Sequence, residues 1–312
     1  MQDIAQHYDH IAQQESKRED TNVLRYINNF AKTLLLEKTY ELLKSEMDSM
    51  DGQIHIADFA CGKGGDILKW SHVLPVQSIY MGIDLSEDSC HEAFRRLTQC
   101  SIKREGHSGK NKLHFGRNSS VSHGNIASKS LEGLFLQKFG DQQMHIVSMQ
   151  MAMHYFTKNE DLLNNLLYNV SSVLQRGGLF VATFMNENCV LGELRSRMCT
   201  ELSLESDLQE IPTQGDFGIS YRVSLPNCLK KMREYVIPLK QTYAIAKKYG
   251  LLPIYVRPIP QILNDSVQQK YKHVQFLSSR ILNTNILEDV EHLRNVIDYD
   301  AGMYMAVIFK KL

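Results

Sequence analysis

An α/β fold wound around a mainly parallel sheet is predicted for this chain by three observations. Short apolar runs alternate with helical patterns through its middle. A glycine-rich turn, Gly62 to Gly65, follows the first of those runs, and an acidic residue, Asp84, closes the second. Alternation of this kind builds βαβ units, whose sheets bind ligands at the carboxyl ends of their strands.

Residues 1–48 read as a helical extension. Leu24, Ile27, Phe30, Ala31, Leu34 and Leu35 recur at helical spacing before the turn-prone stretch from Ser49 to Gln53. Residues 49–312 form the main domain, with strands expected at Ile54–Phe59, Ile79–Ile83, Leu113–Phe115, Met144–Met149, Leu179–Phe184 and Leu251–Val256. A helix over Glu160–Leu174 is expected to close on Arg176-Gly177-Gly178, and another is stopped by Gly250. Residues 186–235 lose this rhythm and read as an insertion with weak helix and strand signals. The chain finishes on the strand Met303–Leu312, a layout that departs from the usual dinucleotide-binding sheet.

Composition bounds the function without naming it. The chain has 312 residues, 43% of them hydrophobic, and its 35 basic and 35 acidic side chains cancel, so binding to a polyanion has to come from local patches. Six cysteines occur without a C-x-x-C pair, which disfavours a zinc knuckle or dithiol site and suits reduced, intracellular thiols; no metal is expected. No apolar run approaches a membrane span of about 20 residues, and the first residues lack the pattern of a secretory signal. A cytosolic, nuclear or viral-factory protein is expected.

The stretch Asp58 to Asp66 carries the strongest chemical signal. Glycines at 62, 64 and 65 let backbone approach a ligand, and the following helix offers free N–H groups, although a ligand-free strand-to-helix turn has the same look. Asp84 suits the two hydroxyls of a ribose, or else an N-cap. A ribose is common to NAD and S-adenosylmethionine. Carboxylates at both ends of the turn, Asp58 and Asp66, favour the second, because they suit a cationic ammonium or sulfonium rather than a pyrophosphate. After the fourth strand, His154 and Tyr155 are placed to hydrogen-bond and stack on a flat base, the alternative being a buried core pair. Hydrolase, zincin and P-loop motifs are absent. Basic residues gather in 101–129 (Lys103, Arg104, Lys110, Lys112, Arg117 and Lys129) and in 222–240 (Arg222, Lys230, Lys231, Arg233 and Lys240), as solvated faces or phosphate contacts.

Several stretches, in order and across nearly the whole chain, converge on one family. They are N-N-F-A-K (Asn28 to Lys32), A-D-F-A-C-G-K-G-G-D-I-L-K-W (Ala57 to Trp70), G-I-D-L-S (Gly82 to Ser86) and Q-M-A-M-H-Y (Gln150 to Tyr155), followed by L-Q-R-G-G-L-F, R-E-Y-V-I-P-L, A-K-K-Y-G-L and the closing strand. With them the chain resembles the cellular and viral mRNA cap (guanine-N7) methyltransferases. The resemblance implies a class I S-adenosylmethionine-dependent, Rossmann-like methyltransferase fold. Its sheet has about seven mainly parallel strands, the last antiparallel, and the N-terminal helical extension covers the donor while the insertion forms part of the cap pocket.

Position by position, the resemblance implies that Lys32 reaches the donor's methionine moiety and that Asp58, Ala60, Gly62, Lys63 and Asp66 line the donor. Asp84 and Leu85 hold its ribose side and Gln150 contacts it; the adenine-binding acid has no clear equivalent, leaving Asn118 or Asn125. Asn28, His154, Tyr155, Glu234 and Tyr304 are implied for the cap guanine. Departures are Ala60 in place of the first turn glycine, Met151 in place of an aromatic residue, and the loss of a proline after strand five; the first two lean the reading toward a large DNA virus. The expected reaction is methyl transfer to guanine N7 of GpppN-RNA without a general base. Guanylyltransferase and triphosphatase functions are expected in the same or another chain, in a viral factory or virion if viral and the nucleus if cellular. The rivals are a methyltransferase for a small molecule or protein, and a catalytically silent RNA-binding subunit.

Overall fold

The computed structural model describes residues 23–46, 53–74, 78–102, 115–116, 118–129, 131–225, 229–269 and 295–312. A long helix, α1 (Val23–Glu46), opens it, its buried stripe running from Val23 and Leu24 through Ile27, Ala31 and Leu35 to Leu43. Strand and helix then alternate: β1 (His55–Phe59), α2 (Ile67–Val73), β2 (Ile79–Asp84), α3 (Glu87–Ile102), β3 (Ser120–His123), α4 (Leu131–Phe139), β4 (Met144–Gln150), α5 (Glu160–Val173) and β5 (Leu174–Met185). Residues 186–235 fold into α6 (Glu187–Ser196), β6 (Ser203–Glu205), β7 (Ser220–Leu225) and β8 (Leu229–Tyr235). The chain closes with α7 (Leu239–Lys248), β9 (Leu251–Pro258), α8 (Ile259–Gln269) and β10 (Tyr304–Lys311).

Seven strands form one sheet in the order β3-β2-β1-β4-β5-β10-β9. β1 to β5 pair in parallel, and β10 runs antiparallel to both β5 and β9. A separate antiparallel sheet, β6-β7-β8, is made by the 186–235 segment.

Alternation along the strands sorts the sheet into two faces. Ala57, Phe59, Met81, Ile83, Val147, Met149, Phe180 and Phe184 pack on one face with the inner stripe of α5. Ile56, Tyr80, Ile146, Leu179 and Val181 pack on the other, against α1 and the second sheet. On this second face the strands turn polar toward their carboxyl ends: the next positions in register are Asp58, Ser148, Gln150 and Thr183. An apolar base with a polar upper rim is what a ligand site on this face requires.

Two expectations are corrected. The third strand is Ser120–His123, not Leu113–Phe115; Leu113 and His114 lie outside the described residues, and Phe115 makes only an isolated bridge to Ser78. A half-exposed edge strand of sequence Ser-Val-Ser-His carries no apolar run to betray it. The Arg176-Gly177-Gly178 triplet does not cap a helix. α5 ends at Val173, and the glycines lie inside β5, where Gly177 takes φ +78° beside an irregularity in the pairing with β4.

Candidate functional site

The glycine turn is built by short-range hydrogen bonds. Cys61 N–H donates to the Ile83 carbonyl at 3.1 Å, Gly64 N–H to that of Cys61 at 3.0 Å, and Gly62 N–H to Asp84 Oδ2 at 2.8 Å. Gly64 needs its missing side chain, since a Cβ there would sit 2.5 Å from Ile67 Cδ1 and 3.1 Å from Ala93 Cα, and its φ is +73°. At Gly62 a Cβ would meet nothing within 4 Å, so this side of the turn is open. Ala60 adopts φ +54° and Met151, in the loop after β4, φ +56°. Two of the three departures from the family pattern therefore occupy left-handed backbone, which costs a non-glycine residue about 1–2 kcal/mol.

The two carboxylates flanking the turn carry different charge states. Asp66 is paired with Lys32 at 3.0 Å and Lys69 at 2.8 Å. Burial opposes its ionisation, but the two lysines prevail and hold its carboxyl down at about 2. Among the described residues no lysine or arginine pairs with Asp58 at contact distance, though Lys32 acts on it from further away. Burial, reinforced by repulsion from Asp66, pushes its carboxyl up to about 7, against hydrogen bonds from the Tyr80 hydroxyl (2.8 Å) and Ser148. Asp66 is thus committed to the lysines, and Asp58 keeps a carboxyl that burial pushes toward its neutral form.

Asp84 joins two loops: its Oδ2 accepts from Gly62 N–H and its Oδ1 from Ser86 N–H at 2.9 Å. Leu85 follows it, its carbonyl 3.0 Å from His123 Nε2. Asn125 lies just past β3 on the same carboxyl edge, its Oδ1 accepting from Ala127 N–H. Asn118 precedes β3, at the amino end of the sheet, and is exposed. The two asparagines thus lie at opposite ends of β3, Asn125 on the carboxyl edge that also carries the glycine turn and Asp84. Lys63 is part of the turn itself. The Gln150 side chain is tied down, its Oε1 accepting from Thr183 Oγ1 at 2.9 Å and its amide donating to Ser148 Oγ at 3.2 Å.

A second cluster adjoins this row. A turn of 3-10 helix, Met153–Phe156, buries His154 and Tyr155 with ring centroids 4.1 Å apart. Glu234 of β8 comes to 3.4 Å from His154 through Oε1, while its Oε2 accepts from the Tyr221 hydroxyl at 2.9 Å. Burial pushes the Glu234 carboxyl up to about 7, and burial holds His154 down at about 3, so His154 is neutral. Tyr304, at the start of β10, pairs with Met185, whose sulfur lies 3.6 Å from the Tyr221 hydroxyl. Asn28 sits one helical turn before Lys32 on α1, its Oδ1 buried without a partner among the described residues. Two buried carboxylates pin the segment in place. Glu187 accepts from Gly215 and Leu239 N–H, and Asp300 accepts from Thr200 N–H and Oγ–H and from Glu201 and Leu202 N–H. Nothing in the sequence singled out Tyr221 and Met185, whose contacts with this cluster depend on a sheet pairing that no motif announces.

A sheet of this order with one reversed strand, a glycine turn after β1 and an acid ending β2 defines a class I S-adenosylmethionine-dependent methyltransferase. The family model described as mRNA (guanine-N(7))-methyltransferase domain matches residues 1–312, and the chain belongs to that family. It is an enzyme family whose methyl donor is S-adenosylmethionine, which the open side of the turn and a carboxyl at Asp58 with no lysine or arginine paired to it among the described residues fit.

Among its relatives is the mRNA cap guanine-N(7) methyltransferase of Schizosaccharomyces pombe, 27% identical over 92% of this chain and 75% of that protein. The Debaryomyces hansenii protein of the same name is 26% identical over 93% and 58%, and mRNA cap guanine-N(7) methyltransferase 1 of Arabidopsis thaliana 25% identical over 85% and 70%. The chain thus spans only part of these relatives. Among solved structures it is similar to an S-adenosylmethionine-dependent methyltransferase from Clostridium acetobutylicum, at 12% identity and TM-score 0.48 over 99% of this chain and 98% of that one. No helix among the described residues is long and apolar enough to cross a membrane.

Proposed function

We propose that this chain transfers the methyl group of S-adenosylmethionine to N7 of the guanine in GpppN-capped mRNA, by holding the reactants rather than by acid–base catalysis. The observation that carries this reading is the buried Glu234 carboxylate set against His154, beside Tyr155, with the Tyr221 hydroxyl linking it to Met185, the residue paired with Tyr304 at the end of the main sheet. When bound, the donor supplies an electrophilic methyl on a cationic sulfur. Asp58 compensates positive charge, Asp84 and the open turn hold the nucleoside part, and Lys32 attracts a carboxylate. Guanine N7 presents an in-plane lone pair at neutral pH, so no base is required.

Glu234 accepts from N1–H and the exocyclic amine, a pattern that guanine offers and adenine does not, and its negative charge favours the positive charge the purine gains. Tyr155 supplies a ring face. Rate then comes from alignment at near-attack distance. Glu234→Ala and Tyr155→Ala are each expected to abolish methylation of GpppA while leaving calorimetric donor binding unchanged; wild-type turnover in Glu234→Ala would remove the assignment. α1, carrying Lys32 and Asn28, serves as the donor cover, and 186–235 as the cap wall. Capped nascent RNA is the partner, with triphosphatase and guanylyltransferase steps upstream. Because the relatives reported above are fungal and plant proteins, we place the enzyme in a nucleus rather than a viral factory.

A further inference from the structure

We infer that Tyr221 is a positioning and specificity residue of the guanine site, its hydroxyl holding Glu234 as a pure acceptor aimed at the Watson–Crick edge of the base. The inference rests on the assignment of Glu234 to the cap guanine. Tyr221 and Glu234 stand directly opposite each other in the β7–β8 pairing, so both side chains leave the small sheet on the same side. Both are almost wholly buried, 2% and 4% exposed. The phenol reaches Glu234 Oε2 at 2.9 Å and the sulfur of Met185 at 3.6 Å, and Met185 is the residue paired with Tyr304 at the end of the main sheet. A single ring thus spans from the main sheet to the base-reading carboxylate.

The groups facing Glu234 are few. From the 3-10 turn comes neutral His154, from β7 Tyr221, and on β10 lies Tyr304, close enough to act on the Tyr221 hydroxyl. Among the described residues no lysine or arginine pairs with Glu234. Tyr221 is therefore the donor that stabilises the ionised carboxylate against its burial. Ionisation matters to function, because a protonated carboxyl would set an O–H against guanine N1–H, donor against donor.

The test is the pH dependence of kcat/KM for GpppA, which reports groups of the free enzyme. Wild type is expected to show an acid limb near 7. Tyr221→Phe, which removes one oxygen and keeps the ring, moves that limb upward by about one pH unit or more and regains most of its activity at alkaline pH. Replacing Tyr221 by 3-fluorotyrosine, a stronger donor, moves it down. A ring that served packing alone would lower activity equally at every pH. Glu234→Gln fails at all pH values, and donor affinity by calorimetry is unchanged throughout. If the Tyr221→Phe and 3-fluorotyrosine profiles superimpose on wild type while Glu234→Gln is inactive, the role of Tyr221 is overturned and the site stands. If Glu234→Gln turns over like wild type, the site reading itself fails.

Discussion

Asp58 and Glu234 are carboxylic acids whose burial pushes them up to about 7, whereas the buried Glu187, Glu193 and Asp300 are met by backbone N–H donors and the buried Asp66 by two lysines. For an acid with a raised pKa, the stability it contributes is complete below the unfolded value, 4.5 for Glu234, and is lost as pH rises through 7. Above 7 the folded protein holds an ion it would rather expose. Glu234→Gln is therefore expected to be inactive yet more stable than wild type at pH 8, by up to about 3 kcal/mol, with little gain at pH 4.5. Thermal melting at the two pH values measures this, and a difference independent of pH would show that Glu234 is not buried as an acid. Asp58, Asp84 and the glycines stood out as candidates in the sequence because each lies within a few residues of a strand end. Glu234 was legible only through family resemblance, and Tyr221 not at all, since its meaning is a partner thirteen positions away across a hairpin.

The donor turn shows how an element is constrained by its backbone. Gly64 combines φ +73° with contacts to Ile67 and Ala93, whereas Ala60 carries a methyl group at φ +54°. Gly64→Ala is expected to destabilise by roughly 2–4 kcal/mol and to weaken donor binding, from overpacking and strain together. Ala60→Gly relieves strain and is expected to stabilise by up to about 1 kcal/mol with donor affinity retained. Melting and donor titration of the two variants check both, and a more stable Gly64→Ala would contradict the packing described. Where element reading failed, the cause was local chemistry overruled by pairing. β3 is a polar edge strand, and the glycines after α5 serve a strand irregularity instead of a helix end. Asn118 and Asn125 were equal candidates in the sequence, and the parallel pairing of β3 puts the two at opposite ends of the strand.

Across the whole molecule, charge is balanced overall and has to be read by location. Of the 101–129 basic stretch, Lys103, Arg104, Lys110, Lys112 and Arg117 lie outside the described residues. In the second stretch, Arg222 is paired with Asp207 and Glu205, and Lys231 with Glu205 at 3.2 Å; Lys230, Arg233 and Lys240 are exposed, Arg233 within electrostatic reach of Asp207. If these three meet RNA phosphates, replacing all three by alanine lowers the slope of log affinity against log salt for capped RNA by about 2, at about 0.7 per phosphate on a single strand. An unchanged slope returns them to a solvated surface.

The alternation of apolar runs, the glycine turn and the strand-end acids specified the α/β class and the donor end, because they depend on near neighbours and on side-chain periods of 2 and 3.6 that any reader of the chain can count. The second cluster, proposed for the cap guanine, depended on folding. His154, Glu234, Tyr221, Met185 and Tyr304 come from the main sheet, the small sheet and a 3-10 turn, and they meet only because buried carboxylates and strand register hold those pieces together; the burial that shifts Glu234 and His154 is a property of that assembly and of no segment within it.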